Sequence, residues 1–186
     1  VYNALAVISA LHSDGYDVSV LAKHFETFTG MGRRFQKVAD IDGILVYDDY
    51  AHHPTEIKAT LSSAEGMTGK HIIAVFQPHR YTRLKNLWNE FLTSFSGVDK
   101  VVVTDVYSAS EDVIEGVNSE NFVRDLKNST NIPCEYLSGS IEEVAKKLYP
   151  TLKENDVVIG LGAGTITNLS KELVNLNEKE VFQIVH

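Results

Sequence analysis

Apolar and polar positions along the chain change period several times, and each change predicts an element. Leu5, Ile8 and Leu11 share one face at helical spacing, Gly15 interrupts the pattern, and Val18 to Phe28 resumes it. Residues 1–28 are therefore expected to be helical. Thr29-Gly30-Met31-Gly32 has the composition of a flexible break, and a domain boundary is placed there. Beyond it, short apolar runs alternate with amphipathic stretches. Gly43-Ile44-Leu45-Val46-Tyr47, Ile72-Ile73-Ala74-Val75-Phe76, Val101-Val102-Val103, residues 134–137 and Val157-Val158-Ile159 read as strands. Between them lie predicted helices. One opens at Pro54 and runs to about Gly66. Another carries the stripe Leu84, Leu87, Trp88, Phe91, Leu92 and Phe95. A third spans 119–128. A fourth opens with the capping box of Ser140 and Glu143 and runs to about Leu152. The last covers 165–176. Five strand–helix alternations with short apolar strands predict an α/β fold: a mostly parallel sheet with helices on both faces. Ligands of such sheets bind beyond the carboxyl ends of the strands. The most unusual residues lie there, at 48–53, 77–83, 105–111 and 160–165.

Composition narrows the classes. A chain of 186 residues, 44% apolar and 23% charged, can bury a full core and does not fit disorder, collagen or a coiled coil. A net charge of −8 argues against a generic basic nucleic-acid surface. The one cysteine, Cys134, excludes an internal disulfide and an all-cysteine metal site, and agrees with a reducing compartment. The longest apolar run, around 72–76, is strand-sized, far from the ~20 residues that span a bilayer. No signal-peptide pattern opens the chain. Val1-Tyr2-Asn3-Ala4-Leu5-Ala6-Val7-Ile8 reads as the middle of a helix without an N-cap, so the chain is expected to be a piece of something longer.

Three constellations carry candidate chemistry. Asp48-Asp49-Tyr50-Ala51-His52-His53-Pro54-Thr55-Glu56 joins a strand end to a helix N-terminus, where free N–H groups favour anions. Its histidines and carboxylates suit holding a phosphate, binding a divalent ion through oxygen, or moving protons. An Asx turn and a helix cap would use the same residues. Zinc fits less well, because adjacent His52 and His53 rarely point at one ion. Gln77-Pro78-His79-Arg80-Tyr81-Thr82-Arg83 also follows a strand. Arg80 and Arg83 offer planar forks for a carboxylate or phosphate, and they oppose the helix macrodipole unless an anion is near. A solvated basic turn is the bland alternative. Gly160-Leu161-Gly162-Ala163-Gly164-Thr165 resembles a phosphate turn without matching G-x-G-x-x-G, and a tight strand-to-helix turn explains it equally well. No G-x-x-x-x-G-K-[ST] occurs, so no loop for ATP phosphates is visible. Asp105, Tyr107 and Glu111 follow the third strand, as crevice lining or a polar loop. Cys134 lies in a buried strand and is expected to be inert.

Together these motifs resemble the Mur ligase family. Asp48 to Glu56 and Phe76 to Arg83 carry the likeness, with Gly32-Arg33-Arg34-Phe35-Gln36, Thr104-Asp105-Val106-Tyr107 and Gly162-Ala163-Gly164-Thr165-Ile166 matching in order. The resemblance implies a Rossmann-like C-terminal domain over 32–186, preceded over 1–31 by the end of a central ATP-binding domain. The implied reaction joins L-alanine to UDP-N-acetylmuramate in peptidoglycan precursor synthesis, through an acyl phosphate formed from ATP. ATP and magnesium would be held mainly by sequence upstream, with no metal site on this chain, in a cytoplasmic enzyme. By resemblance His79, Arg80 and Arg83 hold alanine and the reacting centre. Tyr50, His52 and His53 line the same cleft, with His52, His53 and His79 catalytic, and Asp49 helps order it. Asn3 would contact adenine, and Arg34 would face the nucleotide from the interdomain hinge. Murein-tripeptide recycling ligases share the Asp-Asp-x-Ala-His-His-Pro-like motif but differ over 77–82. Other relatives carry Asn where His53 stands. Leu84 departs from the family's small polar residue. A non-catalytic nucleotide-binding module is the competing class, because fold alone does not exclude it.

Overall fold

The computed structural model describes residues 2–26 and 32–184. The chain divides into two compact units, Val1–Gly32 and Arg33–His186. The first holds α1 (Tyr2–Ser13) and α2 (Val18–Glu26), separated where Gly15 takes φ 91°. Asp17 opens α2 by accepting hydrogen bonds from the amide (2.7 Å) and hydroxyl (2.6 Å) of Ser19. The end of the expected helix at 27–28, and 29–31 of the expected break, lie outside the described residues.

The second unit is built on one sheet. Its strands are β1 (Gln36–Ile41), β2 (Ile44–Asp49), β3 (His71–Phe76), β4 (Lys100–Val103), β5 (Cys134–Tyr136) and β6 (Asp156–Leu161), ordered β1-β2-β6-β3-β4-β5. β1 pairs antiparallel with β2, and every other pairing is parallel. Parallel neighbours need crossovers, supplied by α3 (Pro54–Ala64), α4 (Tyr81–Asn86), α5 (Trp88–Leu92), α6 (Ser119–Ser129) and α7 (Ile141–Leu148). α8 (Leu169–Ile184) follows β6.

Strand alternation divides the core into two layers. Ile72, Ala74 and Phe76, with Val101, Val103, Val157 and Ile159, meet Ile57 and Leu61 of α3, Phe91 of α5 and Phe122 and Leu126 of α6. Ile73, Val75, Val102 and Val158 point the other way, against Ile141, Ala145 and Leu148 of α7 and Leu169 and Leu173 of α8. Phe76 anchors the first layer, its ring 5.3 Å from that of Phe91 and 5.5 Å from that of Phe95. Strands buried on both faces explain the unbroken apolar runs in the sequence.

Three expectations change. β1 is an additional strand, mostly exposed, joined to β2 by a two-residue turn in which Asp42 (φ 48°) and Gly43 (φ 86°) both take positive φ. The stripe over 84–95 is not one helix. It breaks at Leu87 (φ −115°, ψ 22°) into α4 and α5, while Leu84, Phe91 and Phe95 remain buried. The last two helices are also remodelled. α7 stops at Leu148 and passes into a 3-10 turn at Tyr149–Thr151, where Pro150 has no amide to continue it. A 3-10 turn at Thr165–Asn168 precedes α8. Among the described residues no helix is long and apolar enough to cross a membrane.

Candidate functional site

Parallel pairing delivers the carboxyl ends of β2, β6, β3 and β4 to one edge of the sheet. Asp49 lies beside Leu161, which pairs on its other side with Phe76, itself beside Val103. The loops leaving these ends bring the unusual residues together.

After β2, two buried carboxylates organise the edge. Asp49 accepts hydrogen bonds from the amides of Phe35 (2.6 Å) and Ala51 (2.7 Å), tying the segment before β1 to the loop after β2. Both its oxygens serve backbone, so Asp49 orders the site. Asp48 Oδ2 accepts from Arg33 Nε (2.9 Å) and from the Thr167 hydroxyl (2.9 Å), and Arg33 Nη2 donates to the Gly162 carbonyl (2.6 Å). Arg33 and Arg34 lie over the ring of Tyr50, at 5.0 and 5.7 Å. Arg33 thus braces β2 against the glycine turn, a role sequence reasoning missed.

The loop ends in a capping box. His53 is the N-cap of α3, its Nδ1 accepting from the Thr55 amide (3.4 Å), with Pro54 opening the helix. Glu56 accepts from the amides of His52 (3.0 Å) and His53 (3.2 Å). Burial alone would raise the Glu56 carboxyl, but the two amides and His52 hold it below the ordinary glutamate value. His52 Nδ1 lies 2.9 Å from the Tyr50 carbonyl and 3.4 Å from Glu56 Oε2. Both partners are acceptors, which places a proton on Nδ1.

After β3, Gln77 is buried and bridges to the last turn. Its Nε2 donates to the Thr165 hydroxyl (2.9 Å) and its Oε1 accepts from the Ile166 amide (3.0 Å). A Cβ on Gly164 would lie 2.5 Å from that Oε1 and 2.6 Å from the Tyr107 ring. The glycine therefore permits a close approach, the tight-turn use of this segment. His79 pairs with Tyr107 across the loops. The Tyr107 amide donates to the Pro78 carbonyl (2.8 Å), the Arg80 amide donates to the Tyr107 carbonyl (2.8 Å), and the two rings stack at 5.3 Å. The His79 ring stands 5.7 Å from that of His52. Arg83 Nη1 donates to His79 Nδ1 (3.0 Å) and to the His79 carbonyl (3.3 Å). A guanidinium only donates, so Nδ1 accepts and the ring proton sits on Nε2. Burial, then the charges of Arg83, His52 and Arg80, lower the His79 pKa below its ordinary value, favouring the neutral ring.

The structure therefore brings Tyr50, His52, His79, Arg80 and Arg83 into one cluster and adds Tyr107 and Glu111 to it. His53 contributes a cap, and Arg34 contacts Tyr50. Asn3 lies in α1 of the other unit, its side chain outside the described residues. Tyr107 and Glu111 carried only an ambiguous signal, a polar loop after a strand. Asp105 holds that loop, accepting from the Tyr136 hydroxyl and the Gly139 amide (2.8 Å). Burial and then Asp105 push the Tyr136 phenol up to about 12. Cys134 is buried, with its thiol pushed up by burial, as expected of an inert group.

Comparison with known proteins bears on this cluster. The family model for the Mur ligase, glutamate ligase domain, matches residues 33–164. The UDP-N-acetylmuramate–L-alanine ligase of Caldicellulosiruptor saccharolyticus is 42% identical over 166 residues, covering 89% of this chain and 36% of the relative. That of Pelobacter propionicus is 42% identical over 185 residues, covering 96% and 39%. The chain thus spans little more than a third of the length of these relatives. The crystal structure of UDP-N-acetylmuramate-alanine ligase from Thermotoga maritima superposes with a TM-score of 0.76 at 31% identity, covering 96% of this chain and 37% of that one.

Proposed function

Because the chain belongs to the Mur ligase family, through its glutamate ligase domain, we propose that it is part of an ATP-dependent ligase joining L-alanine to UDP-N-acetylmuramate in the cytoplasm. In this reading residues 32–186 form the C-terminal, amino-acid-binding domain. Residues 1–31 end a central domain that holds most of the ATP site, with Asn3 and Arg34 toward the nucleotide. The observation that carries the reading is the meeting of Arg80, Arg83, His52 and His79 at the sheet's carboxyl edge, with Arg83 donating to His79 and the His79 ring beside that of His52. The 42% identity to ligases bearing that name supports the choice of substrate.

The chemistry follows from the groups present. A muramate acyl phosphate must be attacked by the uncharged amine of alanine. Arg80 and Arg83 suit the alanine carboxylate, because guanidinium forks match carboxylate geometry. His52, whose Nδ1 proton is held by the Tyr50 carbonyl and Glu56, takes through the Nε2 of its neutral form the proton the ammonium must lose. The nitrogen then bonds the acyl carbon, giving a tetrahedral oxyanion; as the carbonyl re-forms, the C–O bond to phosphate breaks and the nitrogen's second proton leaves with the departing phosphate. His79, with its proton on Nε2, donates a hydrogen bond to charge that develops on oxygen. Tyr50 and Tyr107 wall the cluster. Among the described residues no group of three or more His, Cys, Asp or Glu side chains could hold a metal ion. No step here runs through the magnesium expected with ATP.

The test is phosphate release from ATP by the full-length protein with UDP-N-acetylmuramate, with and without L-alanine, then with murein tripeptide in its place. Release that requires L-alanine is expected. Release with tripeptide alone would move the assignment to a recycling ligase, and no turnover with either would favour a non-catalytic module. Turnover by the 186-residue chain alone would overturn the placing of the phosphate loop in the rest of the protein.

A further inference from the structure

Arg80 occupies the N-cap position of α4, where its side chain makes no capping hydrogen bond. Its backbone takes φ 72°, a left-handed value rarely adopted away from glycine. Two more such residues, Ala109 (φ 49°) and Ser110 (φ 68°), stand in the facing loop. Backbone strain of this kind persists where surrounding contacts over-determine it. Here the contorted pair delivers Glu111. The Glu111 carboxylate crosses to α4, where Oε2 accepts from the Thr82 amide (3.0 Å) and Oε1 from the Thr82 hydroxyl (2.6 Å). Arg80 Nη1 lies 3.7 Å from the same Oε1. A carboxylate from another loop thus supplies the cap that an arginine cannot, and sets negative charge beside the positive end of the helix and beside Arg80.

We propose that Glu111 is a positioning residue that fixes Arg80 and the turn from His79 to Arg83 in the geometry that receives the amino-acid carboxylate; this rests on the alanine-ligase reading above. Glu111 acts on the substrate through Arg80. Its hydrogen bonds from the Thr82 hydroxyl and amide also hold its pKa below the ordinary value, so the brace is charged at neutral pH.

Steady-state kinetics of the full-length ligase separate this role from a merely structural one. Glu111→Ala is expected to raise the KM for L-alanine about tenfold while the KM for ATP stays within about twofold. Glu111→Gln should fall between, because its amide oxygen still accepts from Thr82 but offers Arg80 no charge. A wild-type enzyme whose phosphate release ignores L-alanine would remove the underlying reading. An alanine-dependent wild type with an unchanged alanine KM in the variants would overturn the role of Glu111 alone. Equal rises in both KM values would also overturn it, since they would reflect general loosening. Should Glu111→Ala fail to fold, the alanine KM of Glu111→Gln decides on the same terms.

Discussion

The rings of His52 and His79 stand 5.7 Å apart, tilted by 58°, yet their Nδ1 atoms meet opposite kinds of partner, a carbonyl in one case and a guanidinium in the other. In the proposed mechanism, these neighbouring backbone and side-chain groups would decide which imidazole receives a proton and which offers one. The positive charges around His79 have a measurable consequence. Burial is the largest cause of its lowered pKa and Arg83 the next. Nitrogen-15 NMR of labelled histidine should show His79 titrating below its ordinary value of 6.5, and Arg83→Ala should move that titration upward. An unchanged titration would mean that Arg83 does not sense the ring. The linkage has a definite sign. The folded pKa lies below the unfolded one, so stability from neutral His79 is complete above about 6.5. It is lost as pH falls through the folded value, where the ring must charge beside Arg83.

Helix caps decide where the site-bearing loops end, and they differ in how openly the sequence announces them. Ser140 and Glu143 form the predicted reciprocal box, with the Glu143 amide donating to Ser140 Oγ (3.2 Å) and the Ser140 amide donating to Glu143 Oε2 (2.7 Å). Ser140→Ala should destabilise the fold by about 1 kcal/mol in urea unfolding, with little effect on the residues clustered at the other loops. A loss below about 0.3 kcal/mol would mean that the box is frayed in solution. This cap, the start of α3 at Pro54 and all five parallel strands are legible because their signals are local: a residue type, a spacing or an apolar run. β1 is not, because its residues are mostly exposed and carry no apolar alternation. Asp42-Gly43 was the available signal, a dipeptide suited to a two-residue hairpin. The break at Leu87 also escapes pattern, since the apolar stripe continues across it and only the chain's path changes. The site shows the same division. Arg80 and Arg83 can be read as an anion clamp from sequence. Glu111 cannot be read as their brace, because its partners lie 29 and more residues away and meet it only through the β3–β4 pairing.

At the scale of the second unit, four strand ends from distant parts of the chain meet at one edge of the sheet, and β6 is the keystone. It is the last strand in sequence yet lies between β2 and β3. A chain ending at residue 155 would hold a β1–β2 hairpin and a β3–β4–β5 sheet with no strand to join them. Such a chain should show no cooperative urea transition and should bind a hydrophobic dye. Retention of a sharp transition would mean that one half stands alone. The order has a counterpart during synthesis. Translation proceeds at about 5–20 residues per second, so two half-sheets leave the ribosome with open parallel edges and wait for β6 to close them. Until residue 161 has emerged, those edges can pair with other nascent chains. For this fold, the interval before β6 emerges is thus the one of greatest exposure to misassembly and the one a chaperone would serve best.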